Sequence, residues 1–171
     1  MRHLTSALCI LGCAIACAGV PISLPAPGSG AGGTAQPHEN LAAIAAEIVR
    51  LTNDARARNG LPALRTNAKL MEAARLHAQQ MAAHQRSDHT IGEARYPTMQ
   101  SRLEAVRYAY LHVAENVAWN QSSAQSALNS WMDSPGHRAN ILDHGLTEIG
   151  AAMMRSSRGE PYWIQVFGRP Q

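Results

Sequence analysis

The hydrophobic positions change period along the chain, and those changes divide it into elements. Over residues 39 to 59, "ENLAAIAAEIVRLTNDARARN", Leu41, Ile44, Ile48, Leu51 and Ala55 recur at steps of three and four. That spacing sets them on one face of an amphipathic helix. Gly60 and Pro62 follow, and they are helix-stopping residues: glycine takes the left-handed turn at the end, and proline cannot continue the ladder. Asn67 reads as the N-cap of a second helix over about 68 to 84, whose inner face carries Leu70, Ala74, His77, Met81 and His84. The segment "QRSDHTIGEARYP", 85 to 97, loses the period and reads as a loop. A short helix near 99 to 106 follows, and "YLHVAENVAW" then alternates weakly, as a strand does. Helical spacing returns at Ala124, Ala127, Leu128 and Trp131. Ser134 before Pro135 predicts an N-cap with proline at the first helical position, so "PGHRANIL" begins a fresh helix and Trp131 faces the core of the one before it.

The period changes again at the end. "LTEIGAAMM" and "PYWIQVFG" are strand-like runs separated by "RSSRGE", which predicts an antiparallel hairpin. Tyr162, Ile164 and Val166 fall on one face of the last strand, and Trp163, Gln165 and Phe167 on the other. Both faces are largely apolar, so the sheet is expected to be covered on both sides. Helices first, strands last and two covered faces give an α+β fold, a three-layer α-β-α sandwich with a C-terminal antiparallel hairpin.

The first 38 residues follow another plan. Arg2 and His3 precede an apolar run from Leu4 to about Ala18, and a Pro/Gly/Ser/Ala-rich stretch follows. This predicts a signal peptide over 1–18, with Ala16-Cys17-Ala18 as the small-residue cleavage site, and a flexible linker over 19–38. The globular domain is then 39–171. The apolar run is short of the ~20 residues a membrane span needs, so no transmembrane span is expected in the mature chain. A secreted or periplasmic location follows, with lipoprotein anchoring through Cys13 or Cys17 as the alternative. All three cysteines, Cys9, Cys13 and Cys17, lie in the leader, so the domain has no disulfide framework and its core must hold it. The net charge of +3 is mild and the arginines are scattered, which argues against nucleic acid as a partner.

Candidate chemistry rests on few residues. There is no phosphate-binding glycine loop, no cysteine pair for zinc and no G-x-S-x-G elbow. His77 and His84 share a helix face at i,i+7, whereas helical metal pairs use i,i+4, so they read as a semi-buried face that tolerates imidazole. His38 and His144 read as solvated, and the direction of His112 stays open. His89 sits in the polar loop. Glu115 is a carboxylate inside an apolar run, where charge is costly unless paired. His137 falls in the first turn of a helix, where the partial positive charge lowers a histidine's pKa and keeps the imidazole neutral. A neutral imidazole can ligate a metal or accept a proton, and the alternative is a hydrogen bond within the cap near Ser134.

Seven segments in order carry a resemblance: "LTNDARARNGLPAL", "AARLHAQQMA", "SDHT", "AENVAW", "WMDSPGHRANIL", "EIGAAM" and "YWIQVFG". Over about residues 44 to 168 the chain resembles bacterial members of the CAP superfamily, the SCP-like extracellular domain shared by cysteine-rich secretory proteins, antigen 5 and plant pathogenesis-related proteins. The resemblance implies an α-β-α sandwich with a central cleft of two histidines and up to two acids, able in some members to bind a divalent metal. By motif position the histidines are His89 and His137 and one acid is Glu115. The position of the second acid holds Ser134, which makes a mechanism requiring two carboxylates harder to build. Three functions are open on this basis: a binding module for a small ligand, lipid, peptide or cell-envelope component; a metal-assisted hydrolase with zinc on His89 and His137 and Glu115 as base or third ligand; or a purely structural envelope domain.

Overall fold

The computed structural model of the chain describes residues 40–171. The expected signal peptide and linker, with Cys9, Cys13, Cys17 and His38, lie outside them. In order the elements are α1 (Leu41–Arg58), β1 (Arg65–Thr66), α2 (Ala68–His84), α3 (Met99–Ala105), β2 (Tyr110–Trp119), α4 (Ala124–Asp133), α5 (Pro135–Ile141), β3 (Glu148–Arg155) and β4 (Pro161–Pro170). The four strands form one sheet in the order β1-β3-β4-β2. β3 and β4 are the expected hairpin, and β4 also pairs antiparallel with β2. β1 pairs parallel with β3 over two residues only.

Local chemistry sets the helix boundaries. Asn40 caps α1 by accepting the Ala43 N–H at 3.0 Å, and Gly60 follows with φ at +72°. Asn67 accepts the N–H groups of Lys69 and Leu70, as its cap position predicts. Thr98 with Ser101 and Ser123 with Ser126 form reciprocal boxes that start α3 and α4. Ser134 takes the N-cap position of α5, yet its hydroxyl makes no capping bond; its backbone carbonyl accepts the Arg138 N–H at 2.8 Å instead.

Strand alternation divides the core in two. Trp163 and Phe167 of β4 with Ile149, Ala151 and Met153 of β3 pack against α1, α4 and α5, where Trp131 is fully buried. Tyr162, Ile164 and Val166 pack on the other face with Leu70, Met81 and Leu103 from α2 and α3. The sheet is thus covered on both sides, the expected three-layer sandwich. Gly150 explains how closely α2 sits: a Cβ there would lie 2.1 Å from the backbone of Leu70. Among the described residues no helix is long and apolar enough to cross a membrane.

Two features depart from the sequence reading. His84 is exposed rather than on the inner face, because it closes the last turn of α2 where the chain leaves the sheet. β1 falls in what reads as a plain connection between two helices. It is held by Glu148, a buried carboxylate that accepts from Arg65 (2.8 Å), Asn67 (2.8 Å) and the Tyr108 hydroxyl (2.9 Å).

Candidate functional site

β2 is an edge strand, and alternation along it aims Glu115 at the α2/α3 layer and Asn116 at the α1/α4/α5 layer. The Glu115 side chain is 3% exposed. Its Oε2 accepts from the Arg102 guanidinium of α3 at 2.8 Å, and its Oε1 lies 3.0 Å from His89 Nδ1. Burial pushes this carboxyl up, but the His89 hydrogen bond and the nearby His77 and Arg102 outweigh burial and leave it below its ordinary value. Arg102 also donates to the backbone carbonyl of His89 at 3.3 Å, so one guanidinium ties both the carboxylate and the loop that bears the histidine.

His89 is more than half exposed and reaches Glu115 from the loop before α3. The hydrogen bond to Glu115 raises its pKa against the opposing effect of burial. His137 is half-buried at the third position of α5. Its pKa is lowered, first by burial and then by the charge of His89. The structure therefore brings His89 against Glu115 and sets His137 nearby, with Ser134 half-buried at the start of the same helix. His112 is exposed and its Nε2 lies 2.7 Å from Asp143, and His144 is exposed in the loop beyond α5.

Three further buried polar residues, which the sequence reading did not select, flank Glu115, two on its own face of β2 and one on the opposite face. Arg102 is one. Asn116, fully buried, is another. The third is His77, also fully buried, whose Nε2 lies 3.6 Å from Glu115 Oε1. Neither of its ring nitrogens makes a well-formed hydrogen bond among the described residues; the Gln80 side chain and the Asp88 backbone are the polar groups beside them. Burial pushes His77 down to about 4, although Glu115 pulls the other way.

This has a consequence for stability. Between pH ~6.5 and ~4 the unfolded chain protonates residue 77 and the folded chain does not, so stability falls as pH drops through that window. At about 1.4 kcal/mol per unit, the loss approaches roughly 3 kcal/mol near pH 4. His77→Met is expected to flatten this dependence when urea unfolding is followed at pH 7, 5.5 and 4.5. A variant with the wild-type pH slope would show that the ring is charged in the fold.

The donor set bears on metal chemistry. Both carboxylate oxygens of Glu115 are engaged, and a guanidinium stands directly behind them, so a cation there would be opposed. His89 faces Glu115 through Nδ1, the arrangement in which a carboxylate orients an imidazole and leaves Nε2 to ligate. A divalent metal would thus be held by the imidazoles of His89 and His137, with Glu115 fixing one ring. Among the described residues no three His, Cys, Asp or Glu side chains are grouped to hold a metal ion.

Comparison with known proteins gives consistent results. Residues 49–167 match the profile of the cysteine-rich secretory protein family, CAP. The chain is 30% identical over 128 residues to the uncharacterized protein YkwD of Bacillus subtilis (strain 168), a match over 75% of this chain and 48% of that protein. An extracellular SCP-domain protein from Bacillus anthracis aligns with a TM-score of 0.69 and 26% identity, over 75% of this chain and 41% of that one. An outer surface protein of Borrelia burgdorferi shares the fold, with a TM-score of 0.66 and 17% identity over 72% of this chain and 90% of its own. The chain spans less than half the length of YkwD and of the Bacillus anthracis protein.

Proposed function

Taking as premise that this chain belongs to the cysteine-rich secretory protein (CAP) family, we propose that it is an extracytoplasmic binding module. Its cleft takes a polar group of a lipid, peptide or cell-envelope ligand between His89 and His137. The observation that carries this reading is the commitment of Glu115. A general base needs a pKa near the working pH. Here Arg102 takes one oxygen, His89 the other, and the carboxyl is held low. The Arg102 and Glu115 charges cancel, so the front of the cleft favours a neutral or anionic oxygen over a divalent cation. Metal-assisted hydrolysis is the less supported reading. The similarity to an extracellular protein supports a location outside the cytoplasm.

Zinc alone is expected to bind wild type weakly, and more weakly still after His89→Ala or His137→Ala, in calorimetric titration. In the same samples, dihexanoyl-phosphatidylglycerol, a muropeptide and a mixed tripeptide pool are titrated by NMR. At least one should shift the amides around His89, Asn116 and His137, with no turnover of casein or nitrophenyl esters. Turnover that Glu115→Gln abolishes would overturn the binding reading in favour of a hydrolase.

A further inference from the structure

Glu115 and Asn116 are consecutive on β2, so one anchors a histidine on each side of the sheet. Glu115 holds the His89 ring. Asn116 acts on the opposite side, where its amide donates to the backbone carbonyl of His137 at 3.1 Å and to Gln165 Oε1 at 3.0 Å. Its own oxygen accepts from Asn140 at 2.9 Å. Asn140 also donates to the backbone carbonyl of Glu115 at 3.3 Å. Gln165 passes the chain on to Thr52 Oγ1 at 2.6 Å, and that hydroxyl ends on the Ile48 carbonyl at 2.7 Å. Asn116, Gln165 and Thr52 are all fully buried.

Buried amides are costly where apolar side chains would serve, and they repay the cost only when fully partnered. This chain is partnered throughout, and it converges on a helix of seven residues, too short to hold its own place. We infer that Asn116 is the positioning residue for His137, and that the buried amide chain back to Thr52 sets the gap between the two imidazoles. What the gap is for rests on the binding reading above; the positioning rests on the hydrogen bonds alone.

Asn116→Asp is the direct test. It is close in shape, loses both N–H donors and turns a carboxylate toward two acceptors. Thr52→Val is the remote test, since it removes only the far end of the chain. Two quantities are followed by NMR in each folded variant: hydrogen exchange of the α5 amides, and the ring carbon–proton resonances of His89 and His137. In Asn116→Asp the protected α5 amides, from Arg138 on, should exchange about tenfold faster or more, the equivalent of one buried hydrogen bond lost. The His137 ring resonances should move while those of His89 stay. Thr52→Val should shift the same signals in the same direction by less, and it decides the matter alone should Asn116→Asp not fold. Unchanged α5 exchange and His137 resonances would overturn the inference, as would equal movement of both histidines, which is general loosening. If His137 moves yet dihexanoyl-phosphatidylglycerol, the muropeptide and the tripeptides bind as to wild type, the binding reading fails and the positioning role stands.

Discussion

Arg102→Met is expected to destabilise the folded protein by ~3–5 kcal/mol at pH 7, the usual cost of stripping one partner from a buried ion pair. The Arg102 and Glu115 side chains are 1% and 3% exposed, so solvent cannot replace the lost guanidinium. The carboxylate would be stranded in the sheet, and the His89 carbonyl would lose its tie to α3. Removing the charge as well, in Arg102→Met/Glu115→Gln, should recover much of the loss, because two neutral groups of similar shape are far cheaper to bury. Urea unfolding of wild type and both variants gives the comparison. A cost under ~1 kcal/mol for the single variant would mean that His89 compensates Glu115 unaided.

A loss of similar size is expected from Trp131→Ala. The indole is fully buried between α4 and the sheet, and its N–H donates to the Val117 carbonyl at 3.0 Å. Truncation leaves a large cavity and an unpaired carbonyl on the strand that carries Glu115. We expect ~3–5 kcal/mol, the range for a large aromatic removed from a core. A cost under ~1 kcal/mol would indicate that α4 turns another face to the sheet. The two substitutions load opposite faces of β2, so their effects should add only in part.

Much of the architecture is legible in the chain because apolar periodicity is written residue by residue. The apolar alternation of Tyr162 to Phe167 predicts a doubly covered strand, and both core clusters contain its residues. β1 leaves no such trace, since two residues cannot show a period. His84 shows that helical phase predicts facing well in mid-helix and poorly in the last turn. The site is legible in a different sense. Glu115 stands out as a charge in an apolar run, and such a charge must be paired. Its cation lies 13 residues earlier on another element, and no spacing rule connects them. Arg56 is a parallel case: a fully buried guanidinium serving the carbonyls of Pro62, Ile141 and Asp143, with nothing in its helix to mark it. His77 is visible in the sequence as an inward imidazole, but its neighbour is not. Asn116 yields to the reasoning applied to Glu115, because an amide inside an apolar strand also needs partners.

The order of strands in the sheet has a kinetic consequence. Only β3 and β4 are joined by a short turn, with Arg155 opposite Pro161. β2 must close on β4 across the whole of α4, α5 and β3, and Arg65 meets Glu148 across 83 residues. Loops of that length are entropically expensive to close before they return any contacts, so such pairings form late and slowly. The hairpin is expected to form first, β2 to dock next, and β1 to lock last. Glu115 and Asn116 arrive only with β2. A partly folded chain therefore has a hydrophobic nucleus before the Glu115 and Asn116 hydrogen bonds exist, and the placement of His89 and His137 is among the last properties the protein acquires.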